Sequence, residues 1–231
     1  MHKDGKDSPA AAGTRAQLLD AAERLFARHG VQAVSVRDII REARANLGAV
    51  NYHFGTRQAL VVEVFERRLI PVDRARLAAL DALEQEAGHA AVPLEKILTA
   101  FIRPALQQAA DPAQGGTASA RLLGRSLGEP NPALEAVLRR HFEPVARRFD
   151  AAIERALPFL SRHELTCRMH LVVGALHHEL LAMDRPLPPH LRHMLGLANI
   201  EKQLVAFAAA GLRATGSDLP AARTRHCTTH P

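Results

Sequence analysis

Apolar residues recur at three- and four-residue spacing along most of this 231-residue chain, and no stretch alternates apolar with polar positions over the length of a strand. The pattern predicts an all-α fold of about nine helices. Leu18, Leu19, Ala22, Leu25 and Phe26 mark one face of a first helix. Thr14 with Gln17 is spaced as a capping box at its start, and Gly30 supplies its stop. Ser35 with Asp38 opens a second helix of about two turns, whose buried face is Val36, Ile39, Ile40 and Ala43. Arg44 and Ala45 link it to a third helix, capped by Asn46 and running to Phe54, with Val50 and Phe54 four residues apart on one face. Gly55 closes that helix and Thr56 caps a long fourth one carrying Leu60, Val64 and Phe65.

Further on, Pro93 suits the first position of a helix reaching about Ala109, and Asp111 to Gly116 reads as a loop. A helix through Arg121 and Leu123 follows. Asn131-Pro132 opens another to about Leu157, and Ser161 with Glu164 makes a third capping box for a helix ending near Met183. Pro186, Pro188 and Pro189 interrupt the chain before a last helix, from His190 or Gly196 to Leu212. Residues 1–13 and 215–231 carry Gly, Ser, Pro and Thr without periodicity and are expected to be disordered. The organisation expected is therefore an N-terminal unit at 14–70, with its paired short helices at about 35–54, and a helical unit at 71–214.

Composition refines this. The formal net charge is +6 and comes from Arg far more than Lys, which suits phosphate and guanine contacts, although net charge alone is weak evidence of a nucleic-acid partner. Cys167 and Cys227 form no spaced framework, so a reducing compartment and no disulfide are expected. The polar N-terminus lacks an apolar leader core and no run is long enough to span a membrane, which points to a cytoplasmic protein without a membrane partner.

The segment from Ser35 to Phe54 carries the chemistry. A helix that enters the major groove needs small residues for close approach and polar residues that reach base edges. Gly48 and Ala49 supply the first; Asn46, Asn51, Tyr52 and His53 supply the second. At this point SVRDIIREARANLGAVNYHFGTRQAL, with LLDAAERLFARHG before it, resembles the DNA-binding signature of the TetR/AcrR family of transcriptional regulators. The resemblance implies a helix-turn-helix domain in which Tyr52 and His53 contact DNA and Arg57 grips phosphate. Ser35 and Arg37 at the start of the second helix would clamp a neighbouring phosphate. Two positions depart from the family pattern. Arg44 stands where Gly is usual, which implies strain if the turn needs a positive φ. Leu47 replaces a frequent Lys, so one polar contact is missing or exchanged for an apolar contact to a thymine methyl.

For the rest of the chain the family resemblance implies a regulatory domain that binds a small-molecule effector and forms a homodimer through its last two helices on a palindromic, double-stranded operator. RLLGRSLGEPNPALEAVLRRHFEPVARRF and MHLVVGALHHELL are similar to the PsrA-type branch of regulators of fatty-acid metabolism, which implies a fatty-acyl or other hydrophobic effector and a repressor that it releases. Pocket candidates are Phe101, Arg121, Arg125, Phe142, Met169 and His170, which combine apolar walls with groups able to hold a polar head. On the helix from Ser161, Leu165, Met169, Val172, Leu176, Leu180 and Met183 form one stripe. His163, Cys167, His170, Gly174, His177, His178 and Leu181 share the other side. Both faces read as buried, the second against a ligand cavity or a partner subunit. Alternatives from the same residues are a metal site at Cys167, His170 and His177, or a pH-sensitive dimer seam. An enzyme is not expected, since no nucleophile–base pattern or phosphate-cradling loop is present, and neither a cofactor nor a resident metal is expected.

Overall fold

The computed structural model describes residues 9–112, 116–126, 132–183, 188 and 196–214. These residues form nine α-helices and no strand among the described residues: α1 (Pro9–His29), α2 (Val36–Ala43), α3 (Leu47–Phe54), α4 (Arg57–Ala87), α5 (Leu94–Ala110), α6 (Gly116–Ser126), α7 (Pro132–Ala156), α8 (Arg162–Ala182) and α9 (Leu197–Arg213).

Most helix starts follow from local side-chain chemistry. Ser35 and Ser161 each accept from the backbone N–H three residues on and receive the reciprocal carboxylate, from Asp38 and Glu164, in complete capping boxes. Asn46 and Thr56 cap α3 and α4 by accepting from Ala49 N–H and Ala59 N–H. These bonds satisfy donors that a helix N-terminus otherwise leaves open.

The start of α1 differs from expectation. The helix begins at Pro9, so 9–13 are helical and Thr14 lies inside the helix, not at its cap. Pro at the first position and three alanines after it favour helix more strongly than Gly13 opposes it. Residues 1–8 and 215–231, and with them Cys227, lie outside the described residues, as do Pro186, Pro189, His190 and His193.

Two apolar cores are stacked along α4. The first gathers Leu18, Phe26, Ile39, Val50, Phe54 and Phe65 from α1 to α4. The second gathers Leu80, Ile97, Phe101, Phe149, Leu176 and Leu212 from α4, α5, α7, α8 and α9. The expected division near residue 70 falls inside a continuous 31-residue helix. Leu60 to Leu69 of α4 belong to the first core, while Val72 and Leu80 belong to the second. Leu122 of α6 and Leu134 and Val137 of α7 also enter the first core, so the C-terminal helices pack directly on the N-terminal unit. No helix among the described residues is long and apolar enough to cross a membrane.

Candidate nucleic-acid interface and ligand cavity

The turn between α2 and α3 is set by Arg44, which adopts φ 52° and ψ 35°, the left-handed conformation. It is the one non-glycine residue with positive φ among the described residues. Ala45 N–H then reaches back to Ile40 O at 3.0 Å, closing α2 and aiming the chain into α3. The strain expected from a side chain at this position is therefore present, and it is carried by a side chain that points to solvent.

On α3, Val50 and Phe54 are buried in the first core. Their burial fixes which face turns outward: Gly48 and Asn51 are exposed, and Tyr52 is 48% exposed despite its size. Tyr52 and His53 meet edge to face with ring centroids 5.0 Å apart. A Cβ added to Gly48 would lie in ordinary contact, 3.4 Å from Asn46 Oδ1. Nothing in the chain's own packing excludes alanine at Gly48. The bare backbone there is a property of the outer surface.

Several expected contact residues have intramolecular roles. Ala49 is half-buried against the first core and so gives less of the outer face than expected. Asn46 Oδ1 accepts from Ala49 N–H at 2.8 Å. Ser35 Oγ accepts from Asp38 N–H and donates to Asp38 Oδ2 at 2.6 Å; Arg37 is exposed beside it. Arg57 was expected on phosphate. In the chain without DNA its half-buried guanidinium donates through Nη2 to Val31 O and to Val34 O, the latter at 3.0 Å, and so holds the loop between α1 and α2. The side chain of Leu47 lies outside the described residues.

A cavity of about 40 Å³ lies between α4, α5, α6, α7 and α8. Of the six residues expected there, Phe101 and Phe142 line it. Arg121 is half-buried without reaching it, and the Arg125 side chain lies outside the described residues. Met169 is buried in the second core and His170 is exposed. The reason is axial: α8 meets the cavity through Val173, Leu176, His177 and Leu180, in its C-terminal half. His170 shares a side with His177 but lies two turns earlier, about 10 Å away along the helix.

The polar part of the cavity wall comes from Arg76, Gln108 and Ser119, which were not singled out for it, and from His177, on the α8 side expected to face a cavity or a partner. Arg76 Nε donates to Phe101 O at 2.8 Å, and its guanidinium lies 4.1 Å from the Phe101 ring centroid. Burial lowers the Arg76 pKa to about 10, partly offset by Asp73. Asp73 Oδ1 is 3.7 Å from Arg76 Nη1, and His141 Nδ1 is 3.6 Å from Asp73 Oδ2. Burial raises the Asp73 pKa against the pull of Arg76 and His141.

A second buried network joins this wall to α1. Arg68 Nε donates to Glu23 Oε1 and Oε2 at 2.8 and 2.9 Å, and Arg68 Nη2 donates to Oε2 at 2.7 Å. Ser119 Oγ donates to Glu23 Oε1 at 3.1 Å, and Gln108 Nε2 donates to Arg68 O at 3.1 Å. One signal for these residues was in the sequence: Arg68 and Arg76 fall in register with Val61, Val64, Phe65, Val72 and Leu80 on the buried stripe of α4. A charge on such a stripe requires a buried partner.

The second side of α8 is open over most of its length in the single chain, and His177 is its residue on the cavity wall. His163, Cys167, His170, Gly174 and His178 are exposed and His177 is half-buried. Cys167 Sγ is 3.9 Å from His163 Nε2. No group of three or more His, Cys, Asp or Glu among the described residues is placed to hold a metal ion. Leu171 on α8 and Phe207 on α9 are 68% and 69% exposed.

Residues 18–64 match the family described as bacterial regulatory proteins, tetR family, and residues 99–211 match the tetracyclin repressor-like C-terminal domain. The chain is 38% identical over 58 residues to the HTH-type transcriptional repressor KstR2 of Rhodococcus jostii (strain RHA1), a match that spans 25% of this chain and 28% of that protein. Its fold is similar to that of the fatty acid degradation regulator FadR from Bacillus halodurans, with a TM-score of 0.58 at 16% identity over 91% of this chain and 100% of the other. A TetR-family regulator from Mesorhizobium loti MAFF303099 superposes with a TM-score of 0.59 at 14% identity, over 89% of this chain and 98% of the other.

Proposed function

The chain belongs to the TetR family of bacterial regulatory proteins, and from that premise we propose that it is a homodimeric transcriptional regulator that binds a palindromic operator through α3 and is released by a small, mainly hydrophobic effector. The observation that carries the DNA-binding reading is the outer face of α3. Gly48, Asn51 and Tyr52 stand on a helix whose opposite face, Val50 and Phe54, is locked into the core. Such a helix presents donors and acceptors to base edges with little freedom to reorient. His53 and the exposed Arg37 flank that face and suit the phosphate backbone. Repression is favoured over activation by the matched relative named as a repressor.

Dimerisation through α8 and α9 is supported by the large apolar side chains that each leaves in water, Leu171 and Phe207. Pairing these faces about a two-fold axis would bury them and set two copies of α3 on one side of the dimer. The effector reading is supported by the Glu23–Arg68–Ser119 network. Ser119 of the cavity wall donates to Glu23 of α1, and Gln108 of the wall donates to Arg68 O, whose guanidinium holds the same carboxylate, so a ligand that shifts α6 or α4 acts on the DNA-binding unit through buried, charge-assisted bonds. Release then follows from differential affinity of the effector for the two arrangements.

The test is selection of duplexes from a random pool by the full chain, with sedimentation velocity of the wild type and of Leu171→Asp and Phe207→Asp. A two-fold-symmetric site bound by a dimer, and a monomer with weakened binding for either variant, is the expected result. An asymmetric site bound by a wild-type monomer overturns the reading.

A further inference from the structure

We infer that the cavity between α4 and α8 selects an apolar ligand bearing a neutral hydrogen-bond donor, a hydroxyl in its simplest form, over the corresponding carboxylate. This rests on the reading of the cavity as the effector site and names the chemistry of what enters it.

The reasoning starts at Gln108, which is 5% exposed. Its Nε2 donates to Arg68 O, and a carbonyl can only accept, so the amide cannot be turned over without setting oxygen against oxygen. Its Oε1 is therefore fixed as an acceptor. It is buried, hydrogen-bonded to no atom of the chain, and belongs to a residue of the cavity wall. A buried acceptor left in this state carries its full desolvation cost until a donor arrives.

The second polar group agrees. His177 Nδ1 lies 2.8 Å from Val173 O and must donate to it, which leaves Nε2 as the acceptor of the neutral ring. Burial, with the charge of Arg76 adding to it, holds His177 below its ordinary pKa despite the bond to Val173.

Two donors of the wall are engaged elsewhere. Ser119 Oγ donates to Glu23, and Arg76 Nε donates to Phe101 O. The charge of Arg76 is answered by Asp73, whose two oxygens have no hydrogen-bond partner. A ligand carboxylate would bring further lone pairs to Gln108 Oε1 and a second negative charge beside Asp73, in a site otherwise walled by Leu69, Val72, Leu138, Phe142, Leu176 and Leu180. A hydroxyl donates to Gln108 Oε1 or His177 Nε2 and adds no charge. The free volume of about 40 Å³ suits such a head group, and a longer tail must part the apolar walls.

The experiment measures binding to the full-length protein of primary alcohols from four to ten carbons, the matched alkanoates and the matched alkyl methyl ethers, by ligand-detected NMR. Affinity for a selected operator duplex is followed in parallel. Alcohols are expected to bind about tenfold tighter than alkanoate or ether of equal length, the value of one buried hydrogen bond. Gln108→Met is expected to bring alcohol and ether within about threefold, with His177→Phe as the second variant should the first not fold. Alkanoates binding tighter than alcohols overturn the inference and leave the effector site standing. Alcohol selectivity that Gln108→Met and His177→Phe both leave intact also overturns it. Selective alcohol binding without any change in operator affinity upholds the inference and removes the effector reading. No binding by any compound of the series overturns both.

Discussion

Replacing Glu23 with leucine removes half of an ion pair that lies almost wholly out of water. Side-chain exposure is 4% for Glu23 and 10% for Arg68, and three N–H to oxygen contacts of 2.7 to 2.9 Å join them. With both side chains almost wholly out of water, solvent screening gives the remaining Arg68 charge little relief. Breaking such a pair costs about 3–5 kcal/mol, against a stability of about 5–15 kcal/mol for an ordinary domain. At roughly 2–4 °C per kcal/mol for a chain of this size, the melting temperature falls by about 6–20 °C. Arg68→Met is expected to cost a similar amount, because it strands the carboxylate. The double variant Glu23→Leu/Arg68→Met is expected to return to within about 1 kcal/mol of wild type, since neither ion is then left unpaired. Urea unfolding followed by circular dichroism at one fixed protein concentration measures all four corners of the cycle. Single variants that each cost less than about 1 kcal/mol, or a double variant that costs their sum, would refute the reasoning. The same double variant tests coupling: it keeps the fold but loses the charge-assisted tie between α1 and the cavity wall, so effector-dependent release of DNA is expected to weaken.

Other outcomes are specific to single residues. Arg44→Gly relieves the left-handed strain at φ 52° and is expected to stabilise by about 1 kcal/mol, the gain being reduced by glycine's unfolded-chain entropy; a loss in urea unfolding contradicts it. Ser35→Ala removes the cap of α2 and is expected to cost about 1 kcal/mol. Hydrogen bonds from Ser35, with the charge of Arg41 adding to them, hold Asp38 below the usual carboxylate range. Its contribution is therefore present above its unfolded pKa and lost as pH falls through the lower folded value, a loss that thermal melts of Asp38→Asn should not show. His177 has a depressed folded pKa, so its contribution is present above about pH 6.5 and lost as pH falls through the folded value. There protonation sets a second cation near Arg76. His177→Gln is expected to flatten that part of the melting-temperature profile between pH 7.5 and 5, and an unchanged slope contradicts it.

What was legible in the sequence was local. A Ser, Asn or Thr followed at the right spacing by a helical stripe locates the starts of α2, α3, α4 and α8 within a residue, because the capping bond is made by neighbours in the chain. Arg44 was legible for the same reason, since the turn's geometry falls on one residue. Pro9 was missed because the Gly and Ser around the first turn outweighed the alanines that follow it. The cavity was legible only in part. Phe101 and Phe142 could be named as large apolar residues on separate helices, but Gln108, Ser119 and Arg76 acquire their meaning from atoms 25 to 96 residues away. The tie made by Arg57 was not legible, because the carbonyls it holds, those of Val31 and Val34, belong to a loop whose path depends on the packed α1 and α4.

The central claim, that the outer face of α3 reads duplex DNA, is tested most directly by fluorescence anisotropy on the duplex selected by the wild type, comparing wild type with Tyr52→Ala and Asn51→Ala over a series of salt concentrations. Both side chains are exposed and outside the core, so circular dichroism and melting temperature should stay as in the wild type. Loss of one good base or backbone contact on each half-site predicts an affinity at least tenfold weaker at equal salt for each variant. Folded variants that bind the duplex as tightly as the wild type would contradict the account.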